Sequence, residues 1–129
     1  MGKKIVFAFD GRRKPDHYHG RDDIAGLIRQ SEKYGYEVVC TYDDGLFCEG
    51  GDYRSVARRI EEEGPDWVIY SEEYLKTVED CEILVIMYNG VNKVLLERAR
   101  KLKYIAVLRR GLENVAVEEC QERGINVSN

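Results

Sequence analysis

Short apolar runs alternate with segments of helical periodicity along the whole chain. The apolar runs are rich in Val, Ile, Phe and Tyr, and they cover residues 4–9, 37–42, 67–70, 83–87, 104–108 and 125–127. Between them, apolar residues recur at spacings of three and four, which places them on one face of a helix. The pattern therefore predicts five strand–helix units followed by a last strand.

Glycine and proline residues mark the ends of several predicted helices. Gly35 follows the first helix, the Gly64-Pro65 pair follows the second, and Gly124 follows the last, and both residue types are typical of helix ends. The spacing predicts helices over residues 22–34, from 53 up to Gly64-Pro65, over 72–80, along the apolar stripe at 91–102 and over 113–123.

The apolar runs also indicate how the sheet is arranged. Strands that are apolar at every position are buried on both faces, and strands that alternate with helices pair in parallel. Because such connections are right-handed, the expected fold class is α/β: a three-layer α/β/α sandwich with a doubly wound parallel sheet of five to six strands, in flavodoxin-like order. The length of 129 residues suits one such domain, so we expect a single domain over residues 1–129.

Charge and hydropathy narrow the classes of function. The 20 Lys and Arg residues are outnumbered by 24 Asp and Glu residues, and the net charge of −4 argues against a dedicated nucleic-acid-binding protein. The longest strongly apolar run, residues 83–87, is too short to cross a bilayer, and the N-terminus lacks the pattern of a secretory signal. We expect a cytoplasmic protein that binds neither nucleic acid nor a membrane.

Cysteine and histidine residues give little indication of a metal site. The four cysteines include no C-x-x-C pair, which excludes a zinc knuckle. Without a secretory signal, we expect reduced thiols in the core at Cys40, Cys48, Cys81 and Cys120. A transition metal can bind a His-x-His pair such as His17 and His19, but on a long polar loop we expect solvated side chains and no metal.

Ligands of an open parallel sheet bind at the carboxyl ends of its strands, which points to the loops 10–21, 43–51, 71–72, 88–91 and 109–113. The loop Tyr88-Asn89-Gly90-Val91 is one of two with residues suited to an anion. Asn89 is expected to cap the following helix, and Gly90 allows close approach of the backbone. The exposed N–H groups can hold a carboxylate or a phosphate, although the same residues also suit an ordinary capping turn.

The second loop suited to an anion, residues 109–114, carries Arg109 and Arg110 before Gly111. Guanidinium groups pair with carboxylate and phosphate through two parallel hydrogen bonds. The alternative is that one or both arginines pair with a surface carboxylate such as Glu113. Because the two loops are expected to follow neighbouring strands, the sequence predicts a single anion-binding notch between them.

Several motifs of phosphate and acyl chemistry are missing from the chain. It contains no G-x-G-x-x-G, no G-x-x-x-x-G-K-[ST] and no G-x-S-x-G, so we predict no dinucleotide site of the usual kind, no P-loop and no nucleophile elbow. A phosphorelay receiver domain has the same size and fold, but it needs Asp after the third strand and Lys after the fifth. Tyr70-Ser71 and Arg109-Arg110 occupy those places, which excludes a receiver.

The C-terminal part of the chain carries a recognisable motif. Residues 102–115 read LKYIAVLRRGLENV, and residues 118–129 read EECQERGINVSN. This stretch resembles the end of the substrate-binding (catalytic) domain of the D-isomer-specific 2-hydroxyacid dehydrogenases, in the phosphoglycerate-dehydrogenase-like branch. Upstream, the strand and the loop 88–91 resemble the substrate-carboxylate loop of that family, so the resemblance covers residues 81–129.

The resemblance implies that both loops bind substrate. Their backbone N–H groups and side chains are expected to hold the carboxylate of a 2-hydroxy or 2-oxo acid, and the residues concerned are Tyr88, Asn89, Gly90, Val91, Arg109, Arg110, Gly111 and Leu112. Asn114 is expected to organise the turn, and Asn129 matches the hinge into a second domain. Arg110 stands where the family usually has glycine, and Ala116 where it usually has aspartate. The first change would narrow the pocket or add a phosphate contact, and the second would loosen the helix start.

In the family, a separate nucleotide-binding domain holds NAD or NADP, the substrate-binding arginine and the acid–base histidine. None of these groups matches a position within residues 1–129. The resemblance therefore implies the substrate-binding half of an NAD(P)-dependent D-2-hydroxyacid dehydrogenase, with no catalytic residue, no bound cofactor and no turnover of its own. The alternatives are a stand-alone small-anion-binding or regulatory module and an unrelated flavodoxin-like domain that acts through protein–protein contacts. Family members usually dimerise, so a homodimer also stays open.

Overall fold

The computed structural model describes residues 3–10, 22–43, 53–87, 89–109 and 111–129. In these segments strands and helices follow one another as β1 Lys3–Asp10, α1 Asp22–Lys33, β2 Tyr36–Asp43, α2 Tyr53–Glu63, α3 Glu72–Val78, β3 Ile83–Ile86, α4 Lys93–Arg98, β4 Tyr104–Val107, α5 Val117–Glu122 and β5 Asn126–Ser128. None of the helices in these segments has the length and apolar character needed to cross a membrane.

The strands of the described segments form one five-stranded sheet in the order β2-β1-β3-β4-β5, and every neighbouring pair is parallel. Strand β2 pairs with one edge of β1, and the chain then crosses back so that β3 pairs with the other edge of β1. This reversal brings the carboxyl ends of β1 and β3 together at the place where such sheets bind ligands. The predicted α/β, flavodoxin-like fold is confirmed.

Apolar side chains cover both faces of the sheet. Along β1, Val6 and Ala8 belong to one buried cluster, whereas Ile5 and Phe7 belong to another. The first cluster includes the buried residues of α3, α4 and α5, and the second includes Ile24 of α1. Helices therefore pack on both faces, which gives the three layers that the uniformly apolar strands predicted.

The prediction of a strand over residues 67–70 is wrong, because this segment lies outside the sheet. The Val68 carbonyl has another partner: Asn92 Nδ2 donates to it and to the carbonyl of the preceding Pro65, each at 3.1 Å. Ile69 is 73% exposed, as no inner strand of a covered sheet would be. The strand predicted as the fifth, over residues 104–108, is consequently the fourth in the chain.

The two C-terminal helices begin later than predicted, because Val91 and Val115 pair with each other in an isolated parallel bridge. Pairing of this kind needs extended backbone, so α4 and α5 each begin two residues after the bridge. The first helix also ends earlier than predicted. Tyr34, the last residue of the helix predicted over residues 22–34, lies beyond α1 and is 79% exposed.

Two of the cysteines are core thiols, as expected. Cys81 and Cys120 are fully buried and free, and burial raises the pKa of the first to about 12 and of the second to about 11. Cys40 does not follow the expectation, because it is exposed on the edge strand β2. Cys48 lies outside the described residues.

Candidate functional site

Two neighbouring strands, β3 and β4, end side by side and lead into the two loops that the sequence singled out. Ile86 pairs with Val107 at the last step of the ladder, and the Leu108 N–H still donates to Ile86 O at 2.8 Å. The loop after β3 includes residues 89–91, and the loop after β4 includes residues 109 and 111–114. The predicted adjacency of the two strand ends is confirmed.

The buried side chain of Asn114 joins the two loops. Its Nδ2 donates to the carbonyl oxygens of Met87 at 3.0 Å and of Asn89 at 2.8 Å, while its Oδ1 accepts from Arg109 Nη1 at 3.2 Å. Removing one partner of such a buried amide would leave polar groups unsatisfied, which costs about 1–3 kcal/mol. Asn114 thus organises the turn, as the resemblance implied.

The backbone continues this connection beyond the strands. The Val91 N–H donates to Asn114 O, and the Ala116 N–H donates to Val91 O, both at 2.8 Å. The Val91 N–H is therefore already used inside the protein. This corrects the expectation that the whole of the loop 88–91 offers N–H groups to a substrate.

Asn92, rather than the predicted Asn89, caps α4. Asn92 is extended, with φ −117° and ψ −176°, and its side chain accepts from the Val94 N–H at 3.0 Å. Asn89 is fully buried, and its Oδ1 accepts from the Met87 N–H at 3.1 Å. The cap lies three residues later than predicted because the bridge of Val91 comes before the helix.

Gly90 lies where the loop after β3 packs against the side chain of Val68. A Cβ at this position would be 2.6 Å from Val68 Cγ2, which is closer than side-chain carbons approach. The Asn89–Gly90 peptide bond is trans, and its carbonyl points to Asn114 Nδ2. In a planar trans peptide the N–H points opposite to the C=O. The Gly90 N–H is therefore directed away from Asn114, and no hydrogen bond within the described segments engages it.

The loop after β4 also contains a glycine that a larger residue cannot replace without strain. Gly111 has φ +81°, and a Cβ there would lie 2.3 Å from Glu113 Oε2. Left-handed backbone of this kind favours glycine. Among the residues that the structure describes, the N–H groups of Gly111 and Leu112 have no hydrogen-bond partner. Together with Gly90, they are described residues of these two loops whose N–H groups are open to a ligand.

Arg109, predicted as a substrate ligand, is engaged inside the protein. Its side chain is 9% exposed, and Nη1 donates to Glu113 Oε2 at 3.0 Å, while Nη2 lies 3.7 Å from Glu61 Oε1. Hydrogen bonds from its own backbone N–H and then from Arg109 lower the pKa of the Glu113 carboxyl. The alternative of pairing with Glu113 is the one that the structure supports, so we assign Arg109 to holding the loop.

The charges of these side chains decide which groups could bind an anion. Arg109 is shared between two carboxylates, so it brings no surplus positive charge to the strand ends. Within the described residues, the groups left to bind a carboxylate there are backbone N–H groups, which can form a concave anion site without a side-chain cation.

An open groove of about 590 Å³ lies beside the strand ends, between the starts of α4 and α5. Among the residues that the structure describes, its charged lining consists of Asp66, Glu118 and Glu119 against Lys93. An excess of acidic groups disfavours a negatively charged ligand. We therefore place the candidate carboxylate site at the loops and not in the groove.

Other sequence-predicted residues lie outside the described segments. They include Tyr88 and Arg110 of the candidate site, His17 and His19 of the possible metal pair, and most of the loops after β1 and β2. Within the described segments, His, Cys, Asp and Glu side chains do not gather in groups of three or more that could hold a metal ion.

Sequence reasoning missed the contribution of the segment 65–70. Besides the contact of Val68 with Gly90, the Tyr70 hydroxyl donates to Gly90 O at 2.7 Å and accepts from the Asn92 N–H at 3.0 Å. An asparagine just before the apolar residues of α4 was a signal for the Asn92 cap. Nothing in the local sequence pointed to Tyr70, whose partners lie about twenty residues away along the chain.

Comparison with solved structures supports the fold of the complete chain. The 3-phosphoglycerate dehydrogenase of Entamoeba histolytica, solved with NAD⁺, matches with a TM-score of 0.65 and 17% identity over 100% of this chain and 33% of that one. An NAD-dependent formate dehydrogenase from Staphylococcus aureus matches with a TM-score of 0.56 and 18% identity, over 96% of this chain and 30% of that one. A 2-hydroxyacid dehydrogenase from Ketogulonicigenium vulgare matches with a TM-score of 0.50 and 18% identity, over 100% and 30%.

These relatives are about three times as long as this chain, which spans 33% or less of each. A search of curated proteins found no match. A family model described as the catalytic domain of D-isomer specific 2-hydroxyacid dehydrogenases matches residues 52–129, which is more than half of the 129 residues. The match includes both loops of the candidate site, Asn114 and the segment 65–70. This chain therefore belongs to the D-isomer specific 2-hydroxyacid dehydrogenase family.

Proposed function

We propose that this chain forms the substrate-binding part of an NAD(P)-dependent D-2-hydroxyacid dehydrogenase. In this proposal, the carboxylate of a small 2-hydroxy or 2-oxo acid binds to the N–H groups of Gly90, Gly111 and Leu112, and Tyr88 and Arg110 stay predicted ligands from the sequence. The observation that supports it best is the buried Asn114 side chain, which bonds the loop after β3 at two carbonyl groups and meets Arg109 of the loop after β4.

Fixed backbone donors are well suited to this task. A hydrogen bond from an N–H to a carboxylate is charge-assisted and is roughly twice as strong as one between neutral groups. Donors that are held in place before binding also avoid the entropy cost of ordering a loop. In this chain Asn114 O, Asn114 Nδ2 and Tyr70 Oη hold the peptide groups around Gly90.

The chemistry of the reaction needs groups that residues 1–129 do not supply. Hydride transfer requires a bound nicotinamide and a positioned proton donor. The chain has no G-x-G-x-x-G motif, so we expect NAD or NADP and the acid–base residue to be held by a nucleotide-binding domain. The 129-residue chain alone is then expected to bind the acid and to convert none of it.

The proposal also includes a cytoplasmic setting and leaves a homodimer to be tested. The buried thiols of Cys81 and Cys120 are free, and free thiols are typical of reducing compartments. Sedimentation of the chain over a range of concentrations measures the oligomeric state directly.

Glycolate, the simplest 2-hydroxy acid, tests the proposal when it is compared with its uncharged methyl ester. At ten times its dissociation constant, glycolate should stabilise the folded chain by about 1.4 kcal/mol, which raises the Tm by a few degrees. Methyl glycolate should have no such effect, since it lacks the carboxylate. Equal shifts with both compounds, or no shift with either, would refute the proposed carboxylate site.

A second measurement tests the expected absence of turnover. The chain is mixed with NADH and glyoxylate, and nicotinamide absorbance is followed against a control without protein. We expect equal rates in both samples. A rate proportional to protein concentration would contradict the assignment of catalysis to another domain.

The alternative of a stand-alone small-anion-binding module depended on two guanidinium groups at the strand ends. The engagement of Arg109 by Glu113, Glu61 and Asn114 removes one of them from this role. A preference for inorganic phosphate over glycolate in the same assay would favour the alternative.

A further inference from the structure

Tyr70 lies in the segment between α2 and α3 that sequence analysis took for a strand. Its ring stacks on the buried ring of Tyr74, with centroids 5.9 Å apart and planes 14° from parallel. The stacking orients the phenol, whose hydroxyl donates to Gly90 O at 2.7 Å and accepts from the Asn92 N–H at 3.0 Å. One hydroxyl group thus bonds two peptide groups on either side of Val91.

The Gly90–Val91 peptide group is consequently held at both edges. Tyr70 binds its carbonyl oxygen, and Asn114 O accepts from its N–H at 2.8 Å. A planar trans peptide anchored at opposite edges cannot rotate without breaking one of these hydrogen bonds. The preceding peptide group is held at Asn89 O by Asn114 Nδ2. The Gly90 N–H belongs to this preceding peptide group, so both peptide groups that meet at the Gly90 Cα are fixed in orientation.

We infer that Tyr70 is a positioning residue for the carboxylate site, and this inference rests on the proposed function. The hydroxyl acts through Gly90 and bonds no group that we assign to the substrate. Without it, Asn114 alone holds the two peptide groups that meet at Gly90, and the Gly90 N–H is held less firmly in its direction. The carboxylate then has to order the loop on binding, which lowers its affinity.

The substitution Tyr70→Phe removes the hydroxyl and keeps the ring that stacks on Tyr74. Tyr104→Phe is the matched control, because Tyr104 begins β4 at the amino end of the sheet, and its hydroxyl bonds Ser128 Oγ. The dissociation constant for glycolate is measured for both variants and for the wild-type chain from backbone amide signals. We expect Tyr70→Phe to weaken glycolate binding on the order of fivefold, because the hydrogen bond that holds Gly90 O is lost. Tyr104→Phe should leave the constant unchanged.

The amide signals of Gly90 and Val91 report the orientation of their peptide groups, which a loss of folding stability alone would not change. In the unliganded chain, Tyr70→Phe should shift the Gly90 and Val91 amide signals, whereas Tyr104→Phe should leave both in place. If the wild-type chain binds glycolate and Tyr70→Phe binds it equally well, the inference is overturned and the proposed function stands. If the wild-type chain does not bind glycolate, the proposed function fails and the inference fails with it.

A second variant covers the outcome in which Tyr70→Phe does not fold. Site-specific 3-fluorotyrosine at position 70 keeps the ring and the hydroxyl and provides a fluorine signal. A carboxylate bound at the Gly90 N–H brings a negative charge close to the phenol, whose hydroxyl lies 2.7 Å from Gly90 O, and so changes the electric field at the fluorine. The fluorine signal should therefore shift as glycolate saturates the chain. An unchanged fluorine signal at saturation would overturn the inference.

Discussion

At the scale of single residues, the two glycines of the candidate site exclude a side chain for different reasons. Gly90 has no room for a Cβ because Val68 Cγ2 would lie 2.6 Å away. Gly111 has a left-handed backbone, with φ +81°, and the Glu113 carboxylate lies against it. The first restriction comes from a neighbouring side chain and can be relieved, whereas the second comes mainly from the chain's own conformation.

Gly90→Ala tests the contact with Val68. The added methyl group should lower the free energy of unfolding by about 1–3 kcal/mol, as other overpacked sites do. Adding Val68→Ala should restore part of this loss, because the clash is with the valine side chain. Urea unfolding of the two single variants and the double variant gives the coupling energy. Additive effects in this cycle would show that the two residues do not touch.

At the scale of elements, the segment 65–70 shows where a sequence pattern can mislead. Trp67, Val68, Ile69 and Tyr70 are the residue types of a buried strand. In the structure, however, Asn92 binds the carbonyls of Pro65 and Val68, and the Tyr70 hydroxyl reaches the loop after β3. The segment supports that loop from the side opposite to Asn114. Its partners lie twenty or more residues away along the chain, so no local pattern predicts this use.

Asn92→Ala tests how much the contact between the segment 65–70 and the start of α4 contributes to stability, because the Asn92 side chain bonds both. The change removes the cap of α4 and leaves two buried carbonyls without their donor, so we expect a loss of about 2–4 kcal/mol in unfolding free energy. Ser71→Ala is the control, because Ser71 caps α3 through one hydrogen bond, to the Tyr74 N–H, and its loss should be about 1 kcal/mol. Urea unfolding measures the free energy of unfolding of both variants and of the wild-type chain. Equal losses would mean that the Asn92 side chain acts as a cap alone.

At the scale of the whole molecule, the fold was largely predictable from the sequence. Uniformly apolar strands such as β1 require two buried faces, and their alternation with helices requires parallel pairing, so the adjacency of the ends of β3 and β4 followed. The details of the site did not follow. The burial of Arg109 and the use of the Val91 N–H depend on Glu61 and Asn114, which come close only once the sheet has formed.

This adjacency is also what joins the fold to the function. The loops after β3 and β4 are held as one unit by Asn114 and by the Val91–Val115 bridge. If they bind a carboxylate, they should do so together, through donors that neither loop supplies alone. The family match covers both loops. In the proposed function, the nucleotide-binding domain corresponds to a part of the relatives that this chain does not cover.

The most direct test of this account is a map of backbone amide signals during a glycolate titration of the 129-residue chain, with methyl glycolate as the reference. We predict that the Gly90, Gly111 and Leu112 amide signals shift together with one dissociation constant. The amide signal of Tyr104, at the opposite end of the sheet, should not shift. Shifts confined to one loop, or centred on Lys93 and Glu118 in the acidic groove, would contradict it.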